Sequence, residues 1–141
     1  MVCGIGTDVV EILRIKKSCL RFGRRFLERV FTPNEIKYCQ GKKRSYEHLA
    51  ARFAAKEAVL KAFGVGWPII SLKNIEIVND PITGSPEIQL YGRAKYVADS
   101  IQAHTIFITL SHSEHFATAF AVLRRRLDIK GGLKPFSIHY Y

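Results

Sequence analysis

One unbroken stretch, Ser45 to Phe63, constrains this chain more than any other. It contains neither Gly nor Pro, and its central run Arg52-Phe53-Ala54-Ala55-Lys56-Glu57-Ala58-Val59-Leu60-Lys61 is rich in strong helix formers. At about 100° per residue, Leu49, Phe53, Leu60 and Phe63 share one stripe of a helix. Lys56 points into the middle of that stripe, Glu57 lies on its flank, and Lys61 follows one turn later. An unpaired ammonium among apolar groups costs roughly several kcal/mol, so Lys56 must meet an anion. Glu57 stands where a carboxylate can reach a cation at the edge of the same packed surface. Opposite charges set by a rigid helix beside a core suggest a site for a charged ligand, a metal included.

The 141 residues suffice for one domain with a real core, and 48% hydrophobic with 24% charged residues is a soluble globular balance. No apolar run approaches the ~20 residues of a membrane span, so no membrane partner is expected. Gly4, Thr7, Asp8 and Glu11 interrupt the layout of a signal peptide. Cys3, Cys19 and Cys39 are odd in number and lack C-x-x-C spacing, which supports neither a disulfide framework nor a zinc site. A reducing cytoplasm is the expected location. The net charge of +10 favours polyanionic partners without choosing among nucleic acid, anionic membrane, phosphorylated ligand or acidic protein.

In chain order, Val2 to Val9 reads as a strand. Gly4 and Gly6 weaken it unless something approaches the backbone closely. Asp8 inside this apolar stretch needs a reason: it caps the following helix or binds a cation. From Glu11 to Val30 two short helices are expected, broken at Gly23. Arg14, Lys17, Arg21 and Arg24 or Arg25 recur at helical spacing on one face, either solvated or a docking surface for something acidic. Thr32-Pro33-Asn34-Glu35 is a capping-box helix start, with the helix running to about Gln40. A basic loop follows, then the central helix, ending at Gly64 as a left-handed cap. Val65 to Ile70 is a loop carrying Trp67.

The second half alternates. Leu72 to Val78 and Glu87 to Tyr91 read as a hairpin around the turn formers Asn79 to Pro86. Arg93 to Gln102 reads as a helix. Thr105 to Leu110 and Phe116 to Leu123 are the most apolar strands, joined by the polar turn Ser111-His112-Ser113-Glu114-His115. The pattern lapses from Arg124. Helices mixed with antiparallel strands make the class α+β.

Asp8 and Glu57 are two carboxylates on different elements. Mg²⁺ takes one or two protein carboxylates and leaves its other positions to waters and substrate phosphates. The cations Arg52, Lys56 and Lys61 could hold the remaining phosphate charge. His112 sits at a turn, where a histidine is merely solvated unless the turn faces the phosphate site. No nucleophile elbow accompanies it, which weakens a serine-hydrolase reading. The basic N-terminal face with Phe22, Phe26 and Phe31 keeps a nucleic-acid-binding module as the rival from another class, though no recognisable binding motif accompanies it.

Together, G-I-G-T-D-V-V-E-I near the N-terminus, F-A-A-K-E-A-V-L-K-A-F-G in the centre and a late L-S-H-S before an Ala-rich strand resemble the holo-acyl-carrier-protein synthases, the short 4′-phosphopantetheinyl transferases. The resemblance covers about Val2 to Leu123. It implies the fold of that family, an antiparallel sheet packed with a long central helix, over residues 1–123, with 124–141 an extension of unknown role. It implies Mg²⁺-dependent transfer of the 4′-phosphopantetheine arm of coenzyme A to a serine of apo-acyl carrier protein, releasing adenosine 3′,5′-bisphosphate, in fatty acid biosynthesis. By motif match, Asp8 and Glu57 would hold the metal. Arg52, Lys56, Lys61 and His112 would meet coenzyme A phosphates, with Glu57 and His112 assisting catalysis. Arg14, Arg21, Arg24 and Arg25 would dock the carrier protein. It further implies a homotrimer with active sites between subunits, and no nucleic-acid partner.

Overall fold

A computed structural model describes residues 1–66 and 69–126. Trp67 and most of the extension, from residue 127, lie outside the described residues. The chain runs β1 (Val2–Glu11), α1 (Ile12–Phe22), α2 (Arg24–Val30), α3 (Pro33–Gln40), α4 (Ser45–Phe63), β2 (Ile75–Asn79), β3 (Pro86–Leu90), α5 (Gly92–Ser100), β4 (Ala103–His112) and β5 (Phe116–Arg125), with a short 3₁₀ turn, Leu72–Asn74, before β2. The fold is α+β. Three strands form an antiparallel sheet in the order β1-β5-β4, while β2 and β3 form a separate antiparallel hairpin.

Local chemistry places the breaks. Gly23 separates α1 from α2 at a φ of 56°, and Gly64 ends α4 in the left-handed region at φ 73°, ψ 15°. Thr32 and Glu35 form the reciprocal capping box at the start of α3. Asp80 accepts from the backbone N–H groups of Ile82 and Thr83, which shapes the hairpin turn.

Helix α4 is buried almost all round, and its alanines make that possible. It crosses β1 so closely that a Cβ on Gly6 would lie 1.9 Å from the Ala58 carbonyl oxygen, and one on Gly4 would lie 2.2 Å from that of Ala62. The strand glycines are therefore where a helix backbone needs the space. Two strand residues span about 6.7 Å and four helix residues about 6 Å, so β1 and α4 run antiparallel in matched steps. On β5 the inward residues beneath α4 are Ala117, Ala119, Ala121 and Leu123, all buried.

Lys56 is fully buried. Its Nζ donates to Glu35 Oε1 at 2.7 Å, to the Leu72 carbonyl at 2.9 Å and to the Ile75 carbonyl at 2.7 Å. Glu35, also buried, accepts from the N–H groups of Thr32 and Ile77, and the Thr32 hydroxyl donates to buried Glu76. Removing one member of such a pair costs about 3–5 kcal/mol because the other charge stays buried alone.

The strands differ from expectation mainly in length. Ser111 and His112 belong to β4, because pairing with Thr118 and Ala117 continues to the strand end. Strand β5 runs to Arg125, past the expected boundary at residue 123. Arg124 pairs with both Val2 and Thr105, and Arg125 donates its Nε–H to the Ile101 carbonyl.

Gly6→Ala is expected to lower stability by about 1–3 kcal/mol or more, since the new methyl meets backbone atoms that cannot move aside. Gly66→Ala, with nothing within 4 Å of its Cβ position, is the control. Equal urea midpoints for the two variants would contradict the close-packing account.

Candidate active site

On β1 the alternation sends Gly4, Gly6, Asp8 and Val10 toward α4, and Ile5, Thr7, Val9 and Glu11 to the other face. Asp8 therefore arrives beside α4 two residues beyond the glycine contact. It does not cap a helix: the residue before α1 is Glu11, which makes no side-chain cap bond. Instead Asp8 Oδ1 accepts from Lys61 Nζ at 3.0 Å, and the same ammonium donates to the Thr7 carbonyl at 2.9 Å.

Glu57 stands one turn before Lys61, half-buried. Burial is the main influence raising its pKa above the ordinary 4.5, and the charge of Asp8 adds to it. Lys61 and Arg14 act in the opposite direction. Four charged groups from β1, α1 and α4 thus share one neighbourhood. Two carboxylates repel across it, and the two cations offset only part of the cost.

This donor set can be tested against a metal. Among the described residues no group of three or more His, Cys, Asp and Glu side chains could hold a metal ion. A closed structural zinc site is excluded there. Two carboxylates that lack full charge compensation fit a hard ion that leaves most of its positions to water and substrate oxygens, as Mg²⁺ does.

Other expected site residues lie elsewhere. Lys56 is corrected: its carboxylate partner is Glu35, and with three acceptors at the ammonium and no exposure it has nothing left for a phosphate. Arg52, one turn earlier on the same face, is also buried. It donates to Asn79 Oδ1 at 2.6 Å and stacks over the Tyr38 ring at 4.2 Å. Its Nε is the buried side-chain polar atom without a partner among the described residues.

His112 ends β4 on the inward parity, near the start of α4, with Nδ1 3.6 Å from Glu47 Oε2. Asp8 is two strands across and two residues along from it, a gap of roughly 10 Å by strand spacing alone. His112 instead joins a basic group. The His48 imidazole is pushed below its usual range by burial first, then by Arg52, Lys42 and His112. One chain therefore carries two separate charged clusters, an acidic one around Asp8 and Glu57 and a basic one around Arg52, His48 and His112.

The expected basic docking face is divided by the Gly23 turn. Arg14 and Arg21 are exposed and line a cavity of about 590 Å³ with Leu13, Lys17, Phe22 and Phe116. Arg24, on α2, is tied to Glu28 at 2.6 Å and borders a different cavity with Lys37 and Lys73. Arg25 is exposed on α2.

Residues 4–121 match the model of the 4′-phosphopantetheinyl transferase superfamily. The chain belongs to that superfamily. It is 43% identical to the holo-[acyl-carrier-protein] synthase of Geobacter sulfurreducens over 89% of this chain and 99% of that one. It is 46% identical to the corresponding protein of Ruminiclostridium cellulolyticum over 84% and 90% of the two chains. The crystal structure of the holo-[acyl-carrier-protein] synthase from Neisseria meningitidis superposes with a TM-score of 0.81 at 33% identity, covering 89% of this chain and all of that one. The Helicobacter pylori synthase in complex with coenzyme A superposes at 0.75 and 36% identity, covering 85% and 99%.

Three partnerships in the transferase were beyond sequence reasoning. Glu35, Glu47 and Asn79 each partner a site candidate, but they lie 21, 65 and 27 residues from Lys56, His112 and Arg52. Lys61 and Asp8, by contrast, were both singled out.

The raised Glu57 carboxyl has a consequence for stability. The folded chain prefers Glu57 protonated, so its ionisation costs stability as pH rises from 4.5 through the raised folded value. The cost is absent below the ordinary value and complete only once pH has passed the raised one. Without metal, Glu57→Gln is therefore expected to melt higher than the native chain at neutral pH, with the gap closing below 4.5. A lower melting temperature at neutral pH would contradict this.

Proposed function

We propose that this transferase moves the 4′-phosphopantetheine arm of coenzyme A to a serine hydroxyl of apo-acyl carrier protein, in the cytoplasm and in service of fatty acid synthesis. The observation that carries the proposal is the meeting of Asp8, Glu57 and Lys61 on a scaffold whose relatives are holo-[acyl-carrier-protein] synthases, one of them solved with coenzyme A.

Attack of an alcohol on a pyrophosphate needs neutralised oxygens and in-line placement of nucleophile and leaving group. Asp8 and Glu57 would hold Mg²⁺, which when bound supplies positive charge to the diphosphate oxygens. Lys61 is placed to exchange its present Asp8 partner for a phosphate oxygen. The serine proton must leave, and Glu57 or a water at the metal would take it. Arg14, Arg21, Arg24 and Arg25 give an exposed basic approach for the acidic carrier protein, and apolar Leu13 and Phe22 border the groove beside Arg14 and Arg21.

His112 is assigned to the coenzyme A phosphates at a second place, the basic cluster by the start of α4, where buried Arg52, bonded to Asn79 and stacked on Tyr38, adds positive charge without the exposure to touch them. The two clusters are separated within one chain, and this is why we infer an assembly, a homotrimer, with sites between subunits. The outer face of the three-stranded sheet supports it. Ile5 and Val9 on β1 and Phe116 and Phe120 on β5 are 63%, 61%, 45% and 45% exposed, an apolar surface of the kind that marks an interface. A second copy of the chain covers it in this reading.

Mass spectrometry of apo-acyl carrier protein incubated with the transferase, Mg²⁺ and coenzyme A is expected to show the gain of one phosphopantetheine arm. Asp8→Asn and His112→Ala should each transfer poorly alone, and unfolding and refolding them together should restore part of the activity. No transfer by the native chain overturns the function. No recovery in the mixture overturns the shared site.

A further inference from the structure

The surface on which helix α4 rests is built mostly of very small residues. Where it crosses β1 it meets Gly4 and Gly6, and beneath it on β5 lie Ala117, Ala119 and Ala121, with Leu123 the one large side chain in that row. Ridges packed into grooves normally set a helix's rotation and axial position. Glycine and alanine supply almost no ridge. The small residues at the centre of the contact fix how closely α4 lies to the sheet and add little of their own against rotation, which falls to contacts on the other faces of the helix.

Lys56 lies on the other side. At 100° per residue it is about 200° from Ala58 and 240° from Ala62, so it points away from the sheet as those residues face it. Its ammonium is held by three acceptors from three segments: Glu35 of α3, Leu72 of the 3₁₀ turn and Ile75 at the start of β2. Glu35 is itself fixed by the N–H groups of Thr32 and Ile77. These bonds are directional where the sheet contact is not. Glu57 projects between the two sides, about 100° from each.

We propose that the Lys56–Glu35 pair is a positioning element for the acidic site: it sets the rotation of α4 and thereby where Glu57 and Lys61 stand relative to Asp8. The assignment rests on the transferase reading above and goes beyond it, since neither residue touches substrate. The magnitude is adequate. At a side-chain radius of about 6 Å, a 10° rotation of the helix moves a carboxylate by about 1 Å. A misplacement of about 1 Å can cost on the order of 100-fold in rate.

The test compares Lys56→Met, Glu35→Gln and the native full chain, with Ala98→Gly as a buried control on α5, which carries none of the pair's bonding partners. All are assayed well below their melting temperatures. Two readings are taken: kcat and KM for coenzyme A per folded molecule, and Mn²⁺ affinity with coenzyme A present, by electron paramagnetic resonance. Lys56→Met and Glu35→Gln are expected to lose about 10- to 100-fold in kcat, with KM little changed and Mn²⁺ bound more weakly. Ala98→Gly is expected to lose stability while keeping native kcat and Mn²⁺ affinity. Native kcat and Mn²⁺ affinity in folded pair variants would overturn the proposal and leave the pair a purely structural one. Should Lys56→Met not fold, Glu35→Gln, which retains an oxygen acceptor, decides alone. If the native chain transfers no arm, the function falls, and the Mn²⁺ comparison still decides the positioning role.

Discussion

The approach of the α4 backbone to β1 is the constraint on which the remaining structure depends. It demands glycine at positions 4 and 6, small residues at 58 and 62, and alanine on the neighbouring strand. In return it brings a helix face within reach of a strand face without intervening bulky side chains. Asp8, the next inward residue, then meets Lys61 and lies within electrostatic range of Glu57. A larger residue at position 6 would push the helix away and open the acidic site as surely as removing a carboxylate.

The charges around this contact divide by what they face. Lys56 and Glu35 are buried, mutually paired and further bonded, so they hold structure. Asp8, Glu57 and Lys61 are partly open, and their mutual compensation is incomplete. Holding a carboxylate above its ordinary pKa costs folding stability, and such costs gather where a protein does chemistry. The basic cluster around Arg52 and His48 shows the same tension in the opposite sign, with one buried guanidinium nitrogen that has no partner among the described residues.

Much of this was legible in the residues. Thr32 and Glu35 announced the start of α3, Gly23 and Gly64 ended helices, and Asn79 to Pro86 marked the hairpin, because each signal acts over a few residues. The family resemblance rested on three short motifs and carried the fold with it. Gly4 and Gly6 raised the right question, a close backbone approach, without naming α4 as the answer. Lys56 was read correctly as needing an anion, but that the anion is Glu35 was not legible, because their contact is one of tertiary packing. The reading of Asp8 as a helix cap or a cation partner was likewise open until Lys61 stood beside it. His112 looked like a turn residue, since only its pairing with Ala117 shows that β4 continues that far. The division of the basic face needed the angle between α1 and α2, which spacing along one helix does not contain.

The central claim is that two carboxylates distant in sequence share one divalent ion. A crystal structure of the protein with coenzyme A and Mn²⁺, located by its anomalous scattering, tests it most directly. The account requires the ion to be bound by Asp8 and Glu57 together, with diphosphate oxygens and waters in its other positions. Manganese held by only one of them, or by neither, would contradict it.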